Sequence, residues 1–165
     1  LLISTVHTPD AQSTVLRILA MFPPEEQDVV RVRLAESLHA VISQRLLPRA
    51  DGKGRVAALE IMIVTPTIRE LMLDKDRVAE IREFIAEGHE QYGMQTFDQH
   101  LKQLVGDGTI EYGVALAAST RPSDFQLKMQ MFKRPSTASA GINEPPSAPE
   151  PTTGAFGVGM EFLNG

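Results

Sequence analysis

Residues 55–72 read RVAALEIMIVTPTIRELM, and the change of period inside this stretch decides the fold class. Arg55–Val64 is an almost unbroken run of Val, Ala, Leu, Ile and Met, the composition of a buried strand. At Thr65-Pro66 the pattern changes. Threonine caps helices well and proline suits the first helical position, after which Ile68, Leu71 and Met72 recur at helical spacing. A strand feeding directly into an amphipathic helix places the chain among α/β proteins.

Working upstream, Asp51-Gly52-Lys53-Gly54 reads as a turn. Before it, Pro24, Glu25 and Glu26 suit the start of a helix, since proline fits the first position and carboxylates favour the positive end of the dipole. Val30, Leu34, Leu38, Val41 and Ile42 then predict one face of a long amphipathic helix running to about Leu47. Earlier still, Leu1–Val6 (LLISTV) is uncharged and β-favouring, which predicts a strand buried on both faces, as in a parallel sheet. His7-Thr8-Pro9-Asp10 breaks it. Val15, Leu16, Leu19 and Ala20 predict a helix that Phe22-Pro23-Pro24 stops.

Working downstream, the helical period persists. Asp76 opens RVAEIREFIAEG, with Val78, Ile81 and Ile85 on one side and Gly88 as the stop. Thr96 opens FDQHLKQLV, with Phe97, Leu101, Leu104 and Val105 on one side, and Gly106-Asp107-Gly108 ends it. Ile110, Val114 and Ala117 predict one more short helix. After Phe132 the chain turns to Pro, Ser, Ala, Gly and Thr, which cannot bury a face, so 133–165 is expected to be disordered. Its end carries Phe156, Val158, Met160, Phe162 and Leu163, a docking motif or simply a loose end.

The composition sets limits. Hydrophobic residues make up 42% and charged residues 22% of the 165, as in a soluble globular protein. There is no cysteine, so neither a disulfide framework nor a thiolate metal site can form. A net charge of -5 argues against broad binding to nucleic acid or anionic lipid. Against that average stands a local basic stretch (Arg31, Arg33, Arg45, Arg49, Lys53, Arg55), which charge patterning reads as a solvated face or a polyanion contact. No apolar run reaches the roughly 20 residues that span a bilayer, and LLISTV lacks the basic flank of a signal peptide.

Chemistry is concentrated in few places. No GxxxxGK[ST] phosphate loop occurs in the sequence. His7 ends the first predicted strand, and in open α/β sheets that edge is where ligands sit. An imidazole there can donate to a phosphate oxygen, or it can be merely structural. His39, His89 and His100 show no metal-ligand spacing with it, and Ser4, His7 and Asp10 lack the glycines of a nucleophile elbow. Arg17, in the following helix, is either a surface arginine or a guanidinium able to stabilise charge on a transferring phosphoryl group.

Four stretches taken together carry a family resemblance. HTPDAQSTVLRILAMFPPEEQ (7–27), VRVRLAESLHAVISQRLLPR (30–49), GRVAALEIMIVTPTIRELM (54–72) and YGMQTFDQHLKQLV (92–105) occur in order. Together they resemble the type IV pilus retraction ATPases of the secretion ATPase superfamily. The resemblance implies an α/β chain with the C-terminal strands and helices of a RecA-like ATPase core over 1–65. A small helical bundle would follow over 66–132, and a disordered tail over 133–165. STVHT resembles the second part of the family's histidine box, which implies that His7 lies near the nucleotide phosphates. Arg17 matches the arginine after the box, implicated in phosphate or intersubunit contact. Thr67-Ile68-Arg69-Glu70-Leu71-Met72 stands where the family's AIRNLIRE motif lies, with Thr for Ala and Glu for Asn, and implies a role in coupling motion to retraction.

The resemblance further implies an ATP-hydrolysing motor using Mg2+, a homo-hexamer that drives pilus retraction and twitching motility. Such a motor is cytoplasmic and peripheral at the inner face of the bacterial inner membrane. Its partners would be an inner-membrane pilus platform protein and a paralogous retraction ATPase, with no nucleic acid. The phosphate loop, the acidic boxes and a PAS-like domain would all precede Leu1, so the chain is expected to be a C-terminal piece, inactive alone. Rival readings are a pilus-assembly or type II secretion motor, a non-catalytic adaptor of motor subunits, and a nucleic-acid-handling RecA-like protein. The absence of a four-cysteine zinc insert favours retraction among the motors.

Overall fold

A computed structural model describes residues 1–133, and the tail predicted from Lys133 onward lies outside them apart from Lys133 itself. The centre of the described residues is an antiparallel hairpin. Strand β1 (Ala40–Pro48) pairs with β2 (Arg55–Ile63) from Ala40↔Ile63 to Pro48↔Arg55. The predicted turn closes it: Gly52 and Gly54 adopt φ of 68° and 86°, which only glycine enters without strain. Asp51 accepts from the Lys53 amide at 2.9 Å and pairs with Arg49, fixing the loop between them.

Around the hairpin lie helices α1 (Ala11–Leu19), α2 (Gln27–Ser37), α3 (Pro66–Leu73), α4 (Ile81–Glu87), α5 (His89–Tyr92), α6 (Phe97–Gly106), α7 (Tyr112–Ala118) and α8 (Pro122–Lys133). A 3-10 turn at Val78–Glu80 leads into α4. The starts of α1, α3 and α6 follow the sequence signals, whereas α2 begins at Gln27 and not at Pro24. Thr65 Oγ1 accepts from the Ile68 amide with Pro66 in the first turn, and Thr96 with Gln99 completes a reciprocal capping box. Asp10 caps α1 through the Ser13 amide at 2.7 Å. Gly88 ends α4 with an ordinary φ of -76°, not a left-handed one. A Cβ there would meet the flexible end of Met94 and lie 3.2 Å from the Phe84 carbonyl oxygen.

Two apolar clusters hold these elements together. One joins α1, α2, α3 and α4 through Ala11, Val15, Ala35, Met62, Ile68, Leu71, Ile81 and Ile85. The other joins the hairpin to α6, α7 and α8 through Ala58, Phe97, Leu101, Ala115, Phe125 and Met129. Ala58 and Met62 lie on the same face of β2, one in each cluster, so the two ends of that face seat different sets of helices. Both clusters draw residues from either side of Thr65, the cap of α3.

Three expectations change. The helix predicted to run to Leu47 stops at Ser37, and Leu38 turns to extended backbone with ψ 128°. From Ala40 the chain is strand: Ser43 and Leu47 are buried while Ile42, Gln44 and Leu46 are exposed. Val41 and Ile42 fit both periods, and pairing with β2 decides between them. Leu1–Val6 forms no strand, and Leu1, Leu2 and Ile3 are exposed. A strand needs a ladder partner, and this segment pairs with neither edge of the hairpin. The outer edge of β2 is already covered, since Ile61 exchanges backbone hydrogen bonds with Gln95 and the Leu59 amide donates to His100 Nδ1. Finally, α8 lies beyond the predicted helices; Phe125 and Met129, one turn apart and both buried, are the signal for it.

Leu71→Ala is expected to destabilise the chain by about 2–5 kcal/mol, since it removes a fully buried side chain. Thr65→Ala removes only the cap of the same helix and is expected to cost about 1 kcal/mol. Urea unfolding of the two variants measures both, and equal losses would contradict this packing.

Candidate functional site

His7 and the start of α1 form the part of the chain where uncommitted chemical groups meet a firmly held backbone. Three of the four histidines are tied to the main chain: His39 Nδ1 to the Ser37 carbonyl, His89 Nδ1 to the Met94 carbonyl, and His100 Nδ1 to the Leu59 amide. His7 is exposed and has no hydrogen-bond partner among the described residues. Arg17, on the exposed face of α1, is equally uncommitted among them.

The segment after His7 is fixed from several directions. Thr8 Oγ1 and Thr14 Oγ1 share a hydrogen bond at 2.7 Å. Ala11 donates its amide to Glu60 Oε1 at 2.8 Å, and Arg45 Nη2 donates to the Pro9 carbonyl at 3.4 Å. Neither Arg45 nor Glu60 stands out in the sequence as part of a site. Arg45 sits in a predicted helix and Glu60 in a predicted strand, and only the hairpin register brings both beneath Pro9–Ala11.

Glu60 is 4% exposed, and burial pushes its carboxyl above the ordinary range. The Ala11 amide pulls the other way and Asp10 adds to the upward push, so desolvation dominates. Glu60 lines a cleft of about 50 Å³ with Asp10, Gln12, Arg82, Ile85 and Thr120. A second cleft of about 120 Å³ lies beside the Arg82–Asp98 ion pair. Both are far below the roughly 300–1,000 Å³ of a small-molecule site. Neither holds a nucleotide by itself. An imidazole and a guanidinium without partners suit phosphate oxygens as donors. The nearby carboxylates are already engaged: Asp10 as a cap and Glu60 on Ala11. No group of three metal-ligating side chains occurs among the described residues.

The basic stretch of the sequence separates into structural roles. Arg31 is buried and donates to the Met72 carbonyl at 2.8 Å, joining α2 to the end of α3. Its Nε has no partner within the described residues. Arg45 lies over the Phe97 ring at 3.9 Å and donates to the Ala118 carbonyl at 2.6 Å. Arg49 pairs with Asp51. These three side chains are struts and do not form one basic surface.

On α3, Ile68, Leu71 and Met72 are buried, while Thr67, Arg69 and Glu70 are exposed, as the spacing predicts. Arg69 still has a partner, because its Nε donates to the Ala35 carbonyl of α2 at 2.9 Å.

No protein-family model matches the chain. A twitching motility protein of Neisseria gonorrhoeae is 46% identical over 110 residues, covering 67% of this chain and 29% of that protein. The type IV pilus retraction ATPase PilT of Pseudomonas aeruginosa is 45% identical over 125 residues, 76% of this chain and 36% of that protein. A crystal structure of the pilus retraction motor PilT with bound ADP matches with a TM-score of 0.64 at 34% identity, over 74% of this chain and 33% of that one.

Over about three quarters of its length the chain is similar to PilT retraction ATPases.

It spans about a third of the length of these PilT-type relatives. The match supplies the α/β fold class expected from the sequence, realised here as a mixed strand and helix unit. No helix among the described residues is long and apolar enough to cross a membrane.

The raised carboxyl of Glu60 carries a pH signature. Between the ordinary value of 4.5 and the raised folded value, the folded chain binds more protons than the unfolded one. Stability from this group is therefore complete below that window and declines as pH rises through it. Asp28, Asp51 and Glu80 are shifted downward by Lys75, Arg49 and Arg77, so they contribute the opposite slope. Subtracting the Glu60→Gln profile from that of the wild type isolates the contribution of Glu60. The wild type is expected to lose ground to the variant as pH rises above 4.5, and a flat difference would contradict the burial of this carboxylate.

Proposed function

We propose that this chain is part of an ATP-hydrolysing motor of the PilT type, which drives type IV pilus retraction and twitching motility. The observation that carries the reading is the pairing of sequence likeness with free donors. A PilT ATPase aligns over three quarters of the chain, and the one uncommitted histidine sits just before the anchored start of α1. His7 donates to the nucleotide phosphates and senses the terminal one, and Arg17 stabilises charge on them or meets a neighbouring subunit. A phosphate loop and the acidic groups that hold Mg2+ belong to the remainder of a PilT-length chain. The ADP held by the solved PilT structure supports a nucleotide as the ligand.

On this reading the working particle is a hexameric ring of identical subunits. It lies in the cytoplasm against the inner membrane, where it meets a pilus platform protein and a paralogous retraction ATPase. The Thr67–Met72 helix couples the two functions. Ile68, Leu71 and Met72 are seated in the core, while Thr67 and Glu70 present a polar face to a neighbour. Arg69 ties that face to α2, so displacement of one helix is passed to the other.

Two measurements test the proposal. The 165-residue chain purified by itself is expected to hydrolyse no ATP. The longer product of its gene, read from the DNA upstream of the Leu1 codon, is expected to contain a phosphate loop and to hydrolyse ATP. In that product His7→Ala and Arg17→Ala should each lower kcat by about 10²-fold while thermal unfolding is unchanged. Turnover by the short chain, or full activity in both variants, would overturn the assignment of these roles.

A further inference from the structure

We propose that Arg45 and Glu60 are a pair of positioning residues that clamp the Pro9–Ala11 segment against the hairpin and tie its placement to helices α6 and α7. The proposal rests on the motor reading above for its consequence in catalysis, and on geometry for the clamp itself.

The two residues come from adjacent strands. The register sets Arg45 opposite Ala58 and Ser43 opposite Glu60, so Arg45 and Glu60 are diagonal neighbours. Both reach the same short segment. Arg45 Nη2 donates to the Pro9 carbonyl, and Glu60 Oε1 accepts from the Ala11 amide. Asp10 between them is occupied in capping α1. The backbone that carries His7 into α1 is thus gripped on both sides of Asp10.

Arg45 also faces the other way. Its Nη1 donates to the Ala118 carbonyl at the end of α7, and its guanidinium lies on Phe97, the first residue of α6. A movement of α6 and α7 against the hairpin must shift the guanidinium or break one of its contacts. Because a guanidinium is planar and rigid, the Pro9 carbonyl feels that shift. Glu60 holds the other end to β2, and the cleft beside it is walled by Thr120, whose amide donates to Asp98. Asp98 in turn pairs with Arg82 of α4. A carboxylate buried to 4% exposure is a poor stabiliser compared with an apolar residue of similar size. What Glu60 supplies that an apolar residue cannot is an acceptor for the first amide of α1.

The test uses Arg45→Met, Glu60→Leu, Glu60→Gln and a double variant that combines Arg45→Met with Glu60→Leu. Hydrogen exchange is measured on the 165-residue chain and ATP turnover on the longer gene product. Glutamine keeps the acceptor and leucine does not. Glu60→Leu is expected to speed exchange at the Ala11 amide by about tenfold or more while Leu101 in α6 is unchanged. In the longer product Arg45→Met and Glu60→Leu are expected to lower kcat by about tenfold or more with KM within about threefold. Glu60→Gln should stay within about threefold of the wild type, and the double variant should be no worse than the poorer single one.

Exchange that accelerates uniformly across the chain would mean a general structural role and would overturn the clamp. So would unchanged kcat in both folded variants, or a glutamine variant as impaired as the leucine one. If the wild-type product hydrolyses no ATP, the motor reading fails alone. The exchange pattern then decides the clamp, local loss at Ala11 supporting it and uniform loss overturning it.

Discussion

The register of one antiparallel hairpin governs the placement of nearly everything else. Ala40↔Ile63 through Pro48↔Arg55 puts Ser43, Leu47, Ala58, Glu60 and Met62 on buried positions. A slip of β1 by one residue would turn Ser43 and Leu47 outward and the exposed Ile42 and Leu46 inward. It would also withdraw Arg45 from Pro9, and the same slip in β2 would withdraw Glu60 from Ala11. Register is therefore both a packing constraint and the condition for holding the His7 segment.

Polar side chains, more than apolar contact alone, set how the helices sit on this hairpin. Arg31 reaches from α2 to the Met72 carbonyl, Arg69 from α3 to the Ala35 carbonyl, and Arg45 from β1 to the Ala118 carbonyl. In each case a guanidinium satisfies a carbonyl at or near the C-terminal end of a helix, where the helix itself leaves acceptors unpaired and the dipole favours a cation. The apolar clusters supply adhesion without direction, and these hydrogen bonds supply the angles.

Likeness to PilT retraction ATPases gives these struts a context. A solved PilT structure holds ADP, and the described residues here form no nucleotide-sized cavity. The proposed function assigns the chemistry to the free imidazole and guanidinium of His7 and Arg17. The same proposal assigns the motion to the hydrogen bonds linking one helix to the next.

Much of this was legible in the residues themselves. The DGKG turn, the strand over Arg55–Ile63, the Thr65-Pro66 start and the Thr96 capping box are local signals, each decided by the backbone preferences of a few neighbouring side chains. Apolar spacing of three and four likewise fixed the buried faces of α3 and α6, while on α1 and its C-cap Val15 and Leu19 are buried but Leu16 and Ala20 are exposed. Family likeness, too, was carried by short stretches read in order. What local signals could not fix were features that depend on a distant partner. Leu38–Leu47 is compatible with either period, and its pairing with β2 made it a strand. Leu1–Val6 has the composition of a strand but no ladder to join among the described residues. The clamp beneath Pro9–Ala11 joins residues 36 and 49 positions apart in sequence, so no local pattern could announce it. Sequence by itself determined where α3 and α6 begin and which face each buries, because those are contests between neighbouring atoms. Tertiary structure decided the hairpin and the two side chains that grip the His7 segment, because hydrogen bonds between strands exist only once the strands have met.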